Sequence, residues 1–284
     1  AAPIDQRAAV NLTLQSSGNA NVTVGGMLAV GEGARLTLDP TAALTLAASR
    51  QLSVDGLLQA PGGSITLDKT GFGTDALPDP YGVLRLGEHS RIDVSGQRLL
   101  SASADGLLRG RVLDGGKVTL RAPMLLWAAG STVLADGASG DLNGSASALY
   151  PGGLQTLASA AGSLSINLTT ELLSGGLAQP GGGLLQGQFL ARAAAADAAG
   201  GQLQITLAGD GLALGKPARV LTLAERASSQ ALPAAGSTDA SALAGMRGQA
   251  VLDAGMVQAS GVQTLQLRSS DVLALDGSLA LDLA

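Results

Sequence analysis

Between Glu32 and Leu67 the chain reads EGARLTLDPTAALTLAASRQLSVDGLLQAPGGSITL. Four apolar triplets with a polar centre stand out: Leu36-Thr37-Leu38, Leu44-Thr45-Leu46, Leu52-Ser53-Val54 and, after Pro61-Gly62-Gly63, Ile65-Thr66-Leu67. In an extended chain successive side chains point to opposite faces, so each triplet is a short strand with its outer residues buried and its Thr or Ser outside. The first three triplets begin at residues 36, 44 and 52. Three such strands per turn make a coil of roughly 24 residues, the size of one turn of a parallel β-solenoid.

The same phrase returns along the chain. Leu84-Arg85-Leu86 and Ile92-Asp93-Val94 resume it, and the Gly-Gly corner recurs before Lys117-Val118-Thr119-Leu120 and Gln202-Leu203-Gln204-Ile205. Paired glycines suit a sharp corner, where the backbone takes unusual angles and neighbouring turns approach closely. Leu164-Ser165-Ile166-Asn167-Leu168, Leu221-Thr222-Leu223, Leu265-Gln266-Leu267, Leu273-Ala274-Leu275 and Leu279-Ala280-Leu281 extend the array to the end. The predicted fold is all-β, a right-handed parallel β-helix of one unit over residues 1–284, with the hand set by strand-crossover chirality. Nine to eleven turns are expected, on the order of 50 Å of stack at about 4.8 Å per strand.

Departures from the pattern mark expected loops at 68–82, 97–114, 138–160 and 225–250. Residues 68–82 hold Pro78, Pro80, Phe72 and Tyr81, which excludes a central strand. The alanine-rich tract 193–199 reads as one or two helical turns on the flank, too short to be stable alone. The chain opens without a basic and apolar leader, and Leu279 to Ala284 still read as interior strand without a cap. Residues 1–284 are therefore expected to be an excised piece of a longer repetitive protein.

Composition agrees with a narrow core. The chain has 41 Gly but only 2 Phe, 2 Tyr and 1 Trp, so the interior must be built from stacked aliphatic side chains. Acidic residues number 22 against 17 basic, with no basic cluster, which argues against a nucleic-acid partner. There is no cysteine, hence no disulfide, thiolate metal site or cysteine nucleophile. The longest apolar run, Met124 to Ala129, is far below the roughly 18 to 20 residues of a membrane span, so no transmembrane segment is expected.

Candidate chemistry is sparse. The sole histidine, His89, neighbours Arg85 and Asp93 in sequence and follows the loop with Asp75 and Asp79. One reading makes these a groove for an acidic sugar, as in a carbohydrate-active β-helix lyase or hydrolase; the plainer reading is a solvated corner. Gly71-Phe72-Gly73-Thr74-Asp75 and Gly209-Asp210-Gly211 each echo half of a calcium-binding β-roll repeat. Such sites need consecutive copies, and each of these stands alone. The run Gly181-Gly182-Gly183 lacks the Lys-Ser/Thr of a phosphate cradle and reads as a corner. Phe72, Tyr81, Trp127 and Tyr150 are candidates for stacking on a sugar ring, weighed against loop anchors packed on the flank. No Gly-x-Ser-x-Gly elbow accompanies the histidine. No catalytic, cofactor-binding or metal-binding residue is assigned, and no enzyme activity or cofactor is expected.

With the units Gly62 to Leu67 and Gly115 to Leu120, and the phrases Ile92-Asp93-Val94-Ser95-Gly96 and Val251-Leu252-Asp253-Ala254-Gly255, the chain resembles filamentous-haemagglutinin-like exoproteins of Gram-negative bacteria. These are passengers of two-partner secretion, and the resemblance covers most of residues 10–284. It implies a β-helical shaft, secreted or held at the cell surface. It also implies an outer-membrane transporter as partner during export, and host-cell or surface glycans or proteins as partners of the loops. The Asn-Pro-Asn motifs of the family's secretion domain are absent, which places the piece in the shaft.

Overall fold

The computed structural model describes residues 8–17, 26–69, 82–102, 107–143, 153–169, 171–173, 177–208, 218–227, 230–233, 243 and 245–283. The fold is nearly all-β, and its large sheets are parallel. The chain visits three of them, A, B and C, in turn. The first circuit is β1 (Leu12–Ser16), β2 (Met27–Val30) and β3 (Arg35–Thr37); the second is β4 (Ala43–Ala48), β5 (Gln51–Val54) and β6 (Leu57–Gln59). The third, β7 (Ser64–Asp68), β8 (Leu84–Leu86) and β9 (Arg91–Asp93), is followed by an antiparallel hairpin of β10 (Arg98–Ala102) and β11 (Leu108–Val112). The fourth, β12 (Lys117–Ala122), β13 (Met124–Trp127) and β14 (Thr132–Leu134), is followed by a second hairpin, β15 (Ser139–Asn143) and β16 (Leu154–Ala158). The fifth opens with β17 (Ser163–Leu168), then a third hairpin, β18 (Glu171–Leu173) and β19 (Leu177–Gln179), before β20 (Gly182–Leu185) and β21 (Gln188–Leu190). The remainder is β22 (Gly201–Leu207), β23 (Val220–Ala224), β24 (Gln249–Asp253), helix α1 (Ala254–Ala259), β25 (Val262–Ser269) and β26 (Val272–Asp276).

Register turns the sequence alternation into columns. Along sheet A, Leu12, Leu44, Ile65, Val118, Leu164, Leu203 and Leu265 stack inward as one row, and Leu14, Leu46, Leu67, Leu120, Ile166, Ile205 and Leu267 as the next. The residue between them points out: Thr13, Thr45, Thr66, Thr119, Ser165, Gln204 and Gln266. Inward residues of sheets B and C, such as Leu52, Val54 and Leu58, join those of sheet A in a single buried cluster. Each fully buried aliphatic side chain contributes about 1.5–3 kcal/mol. The alternation therefore specifies both strand and register, since a one-residue slip would turn every Leu outward.

The corners follow a division of labour between glycines. Gly62 has φ of 59°, which L-residues other than Asn and Asp avoid. Its neighbour Gly63 is needed for closeness instead, because a Cβ there would lie 2.1 Å from the Ala42 carbonyl oxygen. Gly116 stands in the same relation to Gly63, also at 2.1 Å, and Gly162 to Gly116 at 2.0 Å. Each of those carbonyls accepts the first N–H of the next circuit's sheet-A strand: the Ser64 N–H donates to Ala42 at 3.0 Å, Lys117 to Gly63 at 2.9 Å and Ser163 to Gly116 at 3.0 Å.

Several expectations are corrected. One circuit closes between Leu44 and Ile65, sooner than three eight-residue steps, because Leu57–Gln59 follows β5 after only Asp55 and Gly56. Among the described residues sheet A holds seven strands, sheet B eight and sheet C five, fewer than nine to eleven, because excursions consume chain. The described strands within 97–114 and 138–160 pair as antiparallel ribbons, Arg98–Ala102 with Leu108–Val112 and Ser139–Asn143 with Leu154–Ala158. Residues 193–199 form bends without a helix, and the one helical segment among the described residues with six residues is α1, capped by Asp253. Residues 277–283 are not strand; Leu279 and Leu283 instead pack on the core. Of segment 68–82, residues 70–81 lie outside the described residues.

The described parts of 225–250 are not a free loop either. Leu232, Leu243 and Met246 pack on Val83, Met124, Leu126 and Leu184 in a second apolar cluster on the outer face of sheet B, and the Arg85 Nη1 donates to the Pro233 carbonyl at 2.5 Å. This segment links β23 to β24, which lies between β20 and β23, so the chain steps backward here. The links from β2 through to β23 run by way of sheets C and A, and the last, from β24 to β26, by way of α1 and β25 of sheet A.

Beside β23 the Arg219 side chain, 5% exposed, makes a bidentate pair with Asp271 at 2.8 and 3.1 Å, and its backbone N–H donates to the same carboxylate at 2.8 Å. These Arg219 bonds hold the Asp271 carboxyl below its usual pKa against the opposing effect of desolvation. A carboxyl with a depressed folded-state pKa stabilises the fold above its unfolded value, near pH ~3.9, and that contribution is lost as pH falls through the folded value. Asp271→Asn is therefore expected to lower the melting temperature at neutral pH and to flatten its decline below about pH 4, where acid already neutralises the wild-type group. Parallel melting curves of wild type and variant down to that range check this; an undiminished acid decline would assign it to other carboxylates.

Candidate interaction surface

The two hairpins after sheet C leave from the same corner in successive circuits, so they meet. A Cβ on Gly140 of β15 would lie 3.3 Å from Arg98 Cβ and 3.5 Å from Val112 Cγ2 of the other hairpin, which shows how closely the two ribbons pack. The Leu108 N–H donates to Asn143 Oδ1 at 2.8 Å, fixing β11 against β15. Their bases are tied as well. The Ser159 hydroxyl donates to the Leu113 carbonyl at 2.9 Å and accepts from the Ala138 N–H at 2.8 Å. The Ala160 N–H donates to Asp114 Oδ1 at 3.0 Å, and the Gly115 N–H to the Ala160 carbonyl at 2.9 Å. The pair is thus a braced projection.

Its surface exposes several leucines. Leu154 is 61% exposed and Leu157 43%, and Leu100, Leu107 and Leu108 are exposed beside them. Arg109 and Arg111 are exposed on β11. Scattered surface leucines are ordinary, but these five are carried by two adjoining hairpins. A sequence signal for the first hairpin exists in Asp105-Gly106, a dipeptide typical of two-residue hairpin turns, between the runs Arg98–Ala102 and Leu107–Val112.

The other candidate residues do not converge. His89 sits at the exposed corner between sheets B and C, its Nδ1 3.6 Å from Asp55 and 3.9 Å from Glu32, and its N–H donates to Asp55 at 2.9 Å. Arg85 points to the outer face of sheet B, as above. Asp93, in sheet C, accepts from the Ser95 N–H at 3.1 Å and pairs with Arg91 at 3.3 Å. Three side chains close in sequence therefore serve three separate places. Asp75, Asp79, the two β-roll-like segments 71–75 and 209–211, and Phe72, Tyr81 and Tyr150 lie outside the described residues.

Trp127 is core. It is fully buried, its Nε1 donates to Ser131 Oγ at 2.9 Å, and Ser131 shares a 2.6 Å hydrogen bond with Ser90. The indole has room because residue 187 is Gly: a Cβ there would lie 1.8 Å from Nε1. Gly182 and Gly183 open β20, where Cβ atoms would meet the Met246 and Leu125 carbonyls, so this run serves close packing. Among the described residues no three His, Asp or Glu side chains are grouped to hold a metal ion, and no helix is long and apolar enough to cross a membrane.

A cleft of about 530 Å³ lies between β21 and α1, lined by Gln188, Phe189, Arg192, Asp253 and Met256 among others. Its charged members are engaged within the chain: Asp253 accepts from the N–H groups of Met256 and Ala227 at 3.0 and 2.9 Å, and Arg192 donates to the Ala259 carbonyl at 3.4 Å. That arrangement caps the helix at both ends and offers no converging acid and base. Comparison with protein-family models, with curated proteins and with solved structures gives no match.

Proposed function

We propose that the chain is a structural and adhesive segment of a large secreted bacterial surface protein of the filamentous-haemagglutinin type. In this reading it is a right-handed parallel β-helix that displays its hairpins for attachment to surface glycans or proteins. The cyclic A, B, C order of the strands, the single aliphatic core and the crossover rule favour the helical shaft. The observation that carries the attachment role is the braced hairpin pair with its exposed leucines at one corner. A shaft needs neither feature, since the equivalent corner before β7 is closed by Ala60, Pro61, Gly62 and Gly63 alone. Export through an outer-membrane transporter and residence at the Gram-negative cell surface belong to the same reading.

The hairpins are separable from the stack. Removing residues 96–114 joins Ser95 to Gly115, and removing 137–160 joins Asp136 to Ala161, in each case recreating the short corner. The doubly shortened protein is expected to keep its β-rich circular dichroism and cooperative unfolding while losing attachment to host-cell layers. Undiminished attachment by the folded variant would refute the assignment of this surface.

A further inference from the structure

The two hairpin ribbons differ at their outer edges. In an antiparallel pair, residues that exchange backbone bonds alternate with residues whose N–H and C=O point away from the partner strand. The Leu113 N–H donates to the Gln97 carbonyl at 2.9 Å, which fixes that alternation in the first ribbon. Arg98 and Leu100 of β10, and Leu108, Gly110 and Val112 of β11, therefore turn their backbone groups outward. The outer edge of β11 lies against β15, as the bond from Leu108 to Asn143 shows, and that of β10 carries the exposed Arg98. In the second ribbon the Ser159 N–H donates to the Ala138 carbonyl at 2.9 Å. Gln155 and Leu157 accordingly face β15, and Leu154, Thr156 and Ala158 face away from it.

Among the described residues nothing covers that outer edge of β16. The strand pairs with β15 alone, no other bond reaches the backbone of Leu154, Thr156 or Ala158, and the residues from Leu154 to Leu157 are all exposed. The usual guards of an edge strand are lacking as well. Leu154-Gln155-Thr156-Leu157-Ala158 holds no charge and no proline, and its register with β15 runs without a bulge. The first ribbon, by contrast, is guarded by exposed Arg98, Arg109 and Arg111. An open, uncharged edge is a template for one more strand.

We propose that this strand is β16 of a second copy of the chain, so that two copies associate about a two-fold axis at Thr156. Antiparallel pairing about that axis sets Thr156 opposite Thr156 and Leu154 opposite Ala158 of the other copy, and all three residues exchange both backbone bonds. The strand fits itself. Each exposed Leu154 gains the short Ala158 as neighbour, each Leu157 gains the stem of Gln155, and paired threonines are a favourable cross-strand match. Like charges do not meet either. Asp141, the charged residue beside Thr156 in this ribbon, accepts from the Thr156 hydroxyl at 2.6 Å. Its counterpart in the other copy is three strand spacings away, roughly 14 Å, beyond the ~10 Å Debye length at 0.1 M salt. A contact of two five-residue strands falls below the ~1,200 Å² of standard interfaces, so the association is weak and reversible. It stands independently of the attachment role.

Two measurements on the full chain, which has no native cysteine, test it. In sedimentation, wild type should shift from monomer toward dimer between about 10 μM and about 1 mM. Thr156→Lys sets two ammonium groups face to face on the axis while keeping Asp141 as a partner. It should stay monomeric over that range, with the circular dichroism and melting temperature of wild type. For the second measurement, Gln155→Cys and Leu157→Cys are prepared separately and mixed under mild oxidant. Across the axis residues 155 and 157 face each other at about 4.5 Å between Cα atoms, within reach of a disulfide, whereas like positions are diagonal at about 7–8 Å. The mixed dimer, distinguished by mass, should therefore form at least about tenfold faster than either like dimer. A wild type that stays monomeric to about 1 mM overturns the proposal. Dimerisation that persists in Thr156→Lys overturns it too, since it moves the contact to another surface such as an end of the stack. Mixed and like pairs closing at equal rates would do the same.

Discussion

Leu44→Asp is expected to leave the chain unfolded in buffer where Thr45→Asp remains folded. Leu44 is 1% exposed and sits between Leu12 and Ile65 in an unbroken aliphatic column. Removing its side chain alone would cost about 2–5 kcal/mol, and the introduced carboxylate has no partner inside. Together these exceed about 5 kcal/mol, a large part of the 5–15 kcal/mol that holds a typical domain folded. Thr45 is one position away and points outward between Thr13 and Thr66, so its replacement should change stability by about 0.5–1 kcal/mol. Urea titrations followed by circular dichroism separate the two. Similar midpoints for both variants would mean that the inward and outward columns are misassigned.

Gly116→Ala carries the second-largest expected effect from the smallest possible change. The added methyl would lie 2.1 Å from the Gly63 carbonyl oxygen, 2.9 Å from its nitrogen and 3.0 Å from its carbonyl carbon, all backbone atoms. No rotamer relieves such contacts. The circuits would have to part where the Lys117 N–H meets that same carbonyl, which weakens the ladder of sheet A at its middle. Overpacking typically costs 1–3 kcal/mol, and the upper end, about 3 kcal/mol, is expected where both sides are backbone. Gly31→Ala is the matched control, since nothing lies within 4 Å of a Cβ there. Denaturant midpoints for the two should differ clearly, and a Gly116→Ala midpoint equal to the control would show that the circuits have slack.

Much of this architecture was legible because a period-two pattern constrains strand, face and register at once. Leu36, Leu44 and Leu52 announced sheets C, A and B in that order. The strand Leu57–Gln59 was harder to see, since Leu57 and Leu58 are adjacent and the alternation is blurred. The hairpin strands are harder to recognise, because the leucines of Leu108–Val112 and Leu154–Ala158 are exposed and only Ser139–Asn143 shows a buried alternation, at Gly140 and Leu142. The backward placement of β24 was not legible at all. Gln249–Asp253 has the same alternation as its neighbours, and strand order depends on which side of the sheet the connection crosses. His89, Arg85 and Asp93 illustrate the converse limit, as closeness in sequence spans two corners of a strongly turning chain and scatters the side chains.

The register of sheet A runs unbroken from Ser64 to Lys117 and on to Ser163, although a hairpin intervenes each time. For inheritance, this means that the corners and the columns answer to different pressures. Residues can be gained, lost or exchanged at a corner without any change to the side chains that stack, because the glycine beside it restores the path into the next circuit. A lineage could therefore rewrite what the protein shows to its surroundings while the two inward columns of sheet A stay among Leu, Ile and Val.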